Sequence, residues 1–134
     1  MVVGLDTGFF VALSGENKTA IRLWEKIIEG EVKALVATPV IFELRKLSLK
    51  GIINRTFCDA LFEAFKNGCV EIKKIDFEMA EKAAYISHGS SMPAMDALIY
   101  TCYLETDEIY TMDSDFSLSG RKKPEVINLV VKKH

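Results

Sequence analysis

Four acids stand in settings that could do chemistry together: Asp6, Glu43, Asp96 and Asp113, with Asp115 two residues further on. Asp6 closes the apolar run Val2-Val3-Gly4-Leu5, and Asp113 closes Glu108-Ile109-Tyr110-Thr111-Met112 in the same way. Glu43 sits between Ile41-Phe42 and Leu44, and Asp96 between Ala94-Met95 and Ala97-Leu98-Ile99-Tyr100. Taken singly, each has a plain reading. Acids favour first helical turns because of the helix dipole, and Asp113-Ser114-Asp115 suits a turn. An acid inside an apolar run is nevertheless out of place on a solvated face, and buried acids are usually paired or coordinate a metal.

If the acids converge, they repel. Two like charges ~4 Å apart at an effective dielectric of ~20 cost about 4 kcal/mol. A divalent cation relieves that cost, and all-oxygen ligands suit Mg²⁺ or Mn²⁺ better than zinc. Such an ion acidifies bound water and stabilises charge on a phosphoryl oxygen.

The elements that must position these acids are legible in hydrophobic period and in stop signals. Residues 2–5, 32–37, 70–75, 108–112 and 126–131 read as strands, mostly apolar and β-branched. Between them lie helical patterns. The first is a short one through Phe9, Phe10 and Leu13. The second runs over 18–29, capped by Asn17 or Thr19 and stopped by Gly30. The third runs to Lys50 before Gly51, with Thr38 as N-cap and Pro39 as its first residue. Further helices fit 55–67 before Gly68, the stretch after Asp76 to about His88-Gly89, and the stretch opened by Ser90-Ser91-Met92-Pro93. Strands alternating with helices predict α/β class, a three-layer α/β/α sandwich around a parallel five-stranded sheet. Asp6 and Asp113 then end strands at the carboxyl edge, where open α/β sheets bind ligands. Glu43 and Asp96 fall near helix starts that can face the same edge.

Composition narrows the class. A chain of 134 residues with 49% apolar and 27% charged residues predicts one globular domain spanning 1–134. No apolar run approaches the ~20 residues that cross a bilayer, and the N-terminus has no signal-peptide pattern. Cys58, Cys69 and Cys102 lack metal-site spacing and read as reduced thiols. A cytoplasmic location, with no membrane association, is the expectation. The net charge of −2 neither advertises nor excludes a nucleic-acid partner.

The order and context of the acids resemble the PIN domain, a nuclease family. The matching pieces are Leu5-Asp6-Thr7, Thr38-Pro39-Val40-Ile41-Phe42-Glu43, Asp96-Ala97 and Thr111-Met112-Asp113-Ser114-Asp115-Phe116. Gly8 departs from the small polar residue often found there. The resemblance implies strand order 3-2-1-4-5, with strands one and four adjacent. It implies a Mg²⁺ or Mn²⁺ site made by Asp6, Glu43, Asp96 and Asp113, assisted by Asp115 and supported by the Thr111 hydroxyl. It also implies hydrolysis of RNA by a metal-activated water, and for a compact member a VapC-type toxin with a small antitoxin and a homodimeric state. An RNA-processing nuclease without an antitoxin is the related alternative.

RNA must still reach an acidic site. Arg45, Lys46, Lys50 and Arg55 form one basic cluster, and Arg121, Lys122 and Lys123 another. Either could hold phosphates, or be a solvated face. Trp24 and the Phe57-Leu61-Phe65 stripe read as core, Phe62 as part of an apolar patch at a dimer interface, and His88 as a surface histidine. Competing folds fit less well. A haloacid-dehalogenase-like phosphatase needs an Asp where Gly8 stands, and a ribonuclease-H-like fold needs a hairpin where Phe9-Phe10-Val11-Ala12-Leu13 continues. A receiver domain needs an acceptor Asp near Val70-Glu71-Ile72-Lys73-Lys74. A degenerate, non-catalytic PIN-like module that binds RNA or protein remains as the reading without catalysis.

Overall fold

The computed structural model describes residues 1–113 and 122–130. The elements are β1 (Val2–Leu5), α1 (Thr7–Ser14), α2 (Lys18–Ile28), β2 (Lys33–Ala37), α3 (Thr38–Leu49), α4 (Arg55–Lys66), β3 (Glu71–Lys73), α5 (Phe77–Ser90), α6 (Ala94–Cys102), β4 (Glu108–Thr111) and β5 (Glu125–Asn128). The strands form one parallel sheet in the order β3-β2-β1-β4-β5. This is the α/β/α arrangement expected from the alternation of strands and helices, with the strand order that the resemblance implied.

The sheet grows from β1 through β2 to β3 and then jumps back to the other side of β1 for β4. That reversal makes the crevice between the carboxyl ends of β1 and β4 a topological switch point. Gly4 pairs with Leu35 of β2 on one side and Ile109 of β4 on the other. Between two parallel neighbours and two helical layers, β1 has no solvent face, which is why it reads as a continuous apolar run.

Helix limits follow the caps. Asn17 Oδ1 accepts from the Ala20 N–H at 3.0 Å, and Asp76 Oδ1 accepts from the Met79 N–H at 2.9 Å. Asn54 does the same for Phe57 at 3.2 Å. Gly30, Gly51 and Gly68 stand just past the ends of α2, α3 and α4 with φ of 80°, 76° and 90°, the left-handed region that ends a helix most cheaply at glycine. Thr38 differs from expectation. It is the first helical residue and Ala37 takes the cap position without a side-chain bond, because β2 runs straight into α3 and Pro39 sets the first turn. β5 also differs: pairing Glu108 with Glu125 sets it at Glu125–Asn128 rather than 126–131, and residue 131 lies outside the described residues.

The core joins both sides of β1. Phe9 and Phe10 are fully buried edge to face at 5.1 Å, and Phe10 meets Trp24 at 5.9 Å and Phe65 at 5.4 Å. The three cysteines are free, with Cys58 and Cys102 buried. No helix among the described residues is long and apolar enough to cross a membrane.

Candidate functional site

Asp6 leaves β1 with its N–H on the Tyr110 carbonyl at 3.0 Å, so its backbone is still tied to β4. Its side chain is turned into the switch-point crevice and is only 6% exposed. The fully buried Thr111 hydroxyl donates to Asp6 Oδ2 at 2.7 Å and accepts from the Asp113 N–H at 2.9 Å. One hydroxyl therefore fixes the acid after β1 and the backbone after β4. Across the crevice, the Thr7 hydroxyl donates to Glu43 Oε1 at 2.5 Å, joining the start of α1 to the first turns of α3. Asp96, in the first turn of α6, is hydrogen-bonded to Asp113. Asp6, Glu43, Asp96 and Asp113 line one open cavity of about 490 Å³, with Gly8, Val11 and Met112 as its apolar wall.

The charges are held under stress. Burial pushes the Asp6 carboxyl up to about 6, against the lowering effect of the Thr111 hydroxyl and the Thr7 N–H, and the Glu43 and Asp113 charges push it further up. Burial also raises Asp96, to about 7, together with its hydrogen bond to Asp113 and the charges of Asp113, Asp6 and Glu43. Carboxylates that lose solvent and face one another hold a proton at higher pH than free ones do.

Two close approaches set this geometry, and neither was anticipated from the sequence. The Tyr103 hydroxyl, fully buried, donates to the Leu5 carbonyl at 2.6 Å and accepts from the Ala37 N–H at 2.9 Å. It bridges the carboxyl ends of β1 and β2 directly beneath Asp6. Its ring lies against Gly4, where a Cβ would stand 2.4 Å from Tyr103 Cγ. Gly8 has the same kind of reason: a Cβ there would lie 2.7 Å from the Met112 backbone nitrogen. The start of α1 thus packs on the end of β4, and the polar side chain expected at this position by resemblance has no room.

The basic residues separate. Lys46 and Lys50 line a second cavity of about 240 Å³ that shares Thr7 and Glu43 with the acidic one. Arg45 turns away: it pairs with Asp59 of α4 at 2.9 Å and covers the Phe62 ring at 4.9 Å, so it braces α3 against α4. Phe62, stacked on Phe65 at 5.9 Å, is half-buried beneath it. Lys122 is not near the acids either. It precedes β5 beside Lys123, whose ammonium pairs with Asp107 at 3.2 Å, and Asp107 also accepts from the Val2 N–H at 2.8 Å. Those contacts lie at the amino-terminal edge of the sheet, opposite the acids, because a parallel β5 must start there. Asp115 and Arg121 lie outside the described residues. His88 lines a separate groove between α5 and α6.

A divalent metal can be weighed against these residues. The donor set around the cavity is all carboxylate, and two members carry raised pKa values that bound positive charge would reverse. Among the described residues no three His, Cys, Asp or Glu side chains already form a preformed metal cage. The fit is one of donor chemistry.

No protein-family model matches the sequence, and no curated protein does. Solved structures do match. One is VapBC2 from Rickettsia felis bound to a DNA fragment from their promoter, with a TM-score of 0.71 at 15% identity over 96% of this chain and 98% of that one. The chain has the PIN-like fold. A second PIN-like neighbour is Mycobacterium tuberculosis VapC20, a sarcin-ricin loop cleaving toxin, with a TM-score of 0.65 at 20% identity over 88% of this chain and 95% of that one. At these identities the likeness is one of fold, and what chemistry the site can do depends on the acids themselves.

Proposed function

We propose that the protein is a metal-dependent ribonuclease and the toxin of a toxin–antitoxin pair. The observation that carries this is the gathering of Asp6, Glu43, Asp96 and Asp113 around one cavity at the β1/β4 switch point of a PIN-like fold. The similarity to a VapBC2 structure and to a sarcin-ricin loop cleaving toxin supports the toxin assignment and RNA as substrate. Those four acids would hold Mg²⁺ or Mn²⁺, with Asp115 assisting. The bound ion would supply an activated water and charge stabilisation at phosphorus.

The chain's own residues do the positioning. The Thr111 hydroxyl holds the Asp6 carboxylate toward the cavity and ties it to the Asp113 backbone. Thr7 holds Glu43. The raised pKa values let Asp6 and Asp96 carry protons near neutrality and release them when positive charge arrives. A small antitoxin, a homodimeric state and a cytoplasmic location complete the proposal. The test is cleavage of structured RNA with Mg²⁺ or Mn²⁺, with and without chelator, by wild type and Asp6→Asn. Metal-dependent cleavage lost in Asp6→Asn is expected. Equal cutting by both proteins would mean contamination and end the assignment.

The second reading is a PIN-like module that binds RNA or protein without cutting. Manganese that neither binds nor raises the melting temperature would select it.

A further inference from the structure

The second cavity, beside the acidic one, has a composition of its own. Its walls include Phe42 and Lys46 of α3 and Lys50 at its C-cap, with Met95 from α6 opposite. Spacing of four residues puts these three side chains on one ridge, since Lys50 at the C-cap keeps helical backbone. Thr7 and Glu43 line both cavities, so their hydrogen bond is the partition between them. Phe42 is 58% exposed although it is a large apolar ring next to a site-forming acid. The Lys46 ammonium stands 6.0 Å from its ring centroid. Among the described residues, neither Lys46 nor Lys50 lies within ion-pair distance of a carboxylate, whereas Arg45 on the same helix does.

An acid-lined crevice repels a polyanion until something nearby holds the phosphates. An aromatic face next to unpaired cations is the combination that binds single-stranded nucleic acid, since bases stack on rings and phosphates pair with ammonium groups. We propose that this cavity is a nucleotide subsite. The base next to the cleaved bond stacks on Phe42, and its flanking phosphates lie on Lys46 and Lys50. A base held in a duplex cannot present its face to a side chain. The subsite therefore selects unpaired nucleotides, in single strands or loops. This rests on the nuclease reading and adds to it a residue that chooses the substrate.

The test uses full-length protein and a fluorescein-labelled single-stranded oligoribonucleotide of mixed sequence, with the duplex of that sequence as control. Binding is followed by anisotropy in the Asp6→Asn background at several salt concentrations, and KM and kcat by cleavage in the wild-type background with Mn²⁺. Phe42→Ala should weaken single-strand binding about tenfold, raise KM and leave the salt slope unchanged. Phe42→Trp should retain binding. Replacing Lys46 and Lys50 together by Ala should lower the salt slope by about 1.4. Equal binding of duplex and single strand, or a Phe42→Ala protein with wild-type KM and affinity, overturns the subsite while metal-dependent cleavage by wild type leaves the nuclease reading standing. Phe42→Ala that spares RNA binding but turns a dimer into a monomer assigns the ring to self-association instead. A wild-type protein that neither binds nor cuts RNA ends both readings.

Discussion

Replacing Asp6 by Asn should stabilise the metal-free protein at alkaline pH while destroying its activity. The Asp6 pKa is raised from 3.8 to about 6, with burial the largest cause. At about 1.4 kcal/mol per pKa unit, ionising Asp6 in the folded chain costs about 3 kcal/mol more than in the unfolded chain. Asn carries no charge but has one acceptor oxygen. If that oxygen keeps the Thr111 hydroxyl, the amide group faces the Thr7 N–H, a loss of about 1–2 kcal/mol. The net gain is about 1–2 kcal/mol, or about 4–8 °C in melting temperature for a chain of this size. The sign follows from proton linkage. The folded wild-type protein binds more protons than the unfolded one between the two pKa values, so its stability is full below 3.8 and falls as pH rises through about 6. Asp6→Asn lacks that fall. Thermal melts in chelator at pH 4 and pH 8 test this, and the variant should lead at pH 8 and lose its lead at pH 4. A variant that melts at or below wild type at pH 8 would refute the claim that Asp6 is held in an unfavourable charged state.

Three substitutions probe the supports of the site. Thr111→Val removes the donor to Asp6 and the acceptor for the Asp113 N–H, and should cost about 2–3 kcal/mol and lower kcat more than it raises KM; an unchanged kcat would exclude the hydroxyl from positioning Asp6. Tyr103→Phe leaves the Leu5 carbonyl and the Ala37 N–H without their shared partner, so denaturant unfolding should show a loss of about 2 kcal/mol, and wild-type stability would deny that bridge its role. Gly8→Ala places a methyl group 2.7 Å from the Met112 nitrogen; a loss of about 1–3 kcal/mol is expected, and an unchanged melting temperature would show that α1 and β4 yield there freely.

The sequence carried the alternation of strands and helices because β1 and β2 are continuous apolar runs and the helices end on glycines. It carried the acids because each interrupts or ends such a run. It did not carry the direction of Arg45, since Asp59 and Phe62 come near only once α3 packs on α4. Lys122 was in principle readable: a parallel β5 must begin at the edge opposite Asp113, so the residues just before it could not sit beside the acids. A glycine inside a strand can mark a close approach, but no such reading was drawn from Gly4, whose partner Tyr103 is 99 residues away in sequence and is named only by the fold. Gly8 is similar, a departure from a family pattern whose cause is the Met112 backbone.

Whether Asp6, Glu43, Asp96 and Asp113 act as one metal site is decided by titration calorimetry of the wild-type protein with Mn²⁺ at pH 6.5 in buffers of different ionisation enthalpy. Saturable binding with net proton release is expected, because burial and neighbouring carboxylates raise Asp6 and Asp96 toward that pH and the cation favours their charged forms. Binding without proton release, or no binding heat in any buffer, would contradict it.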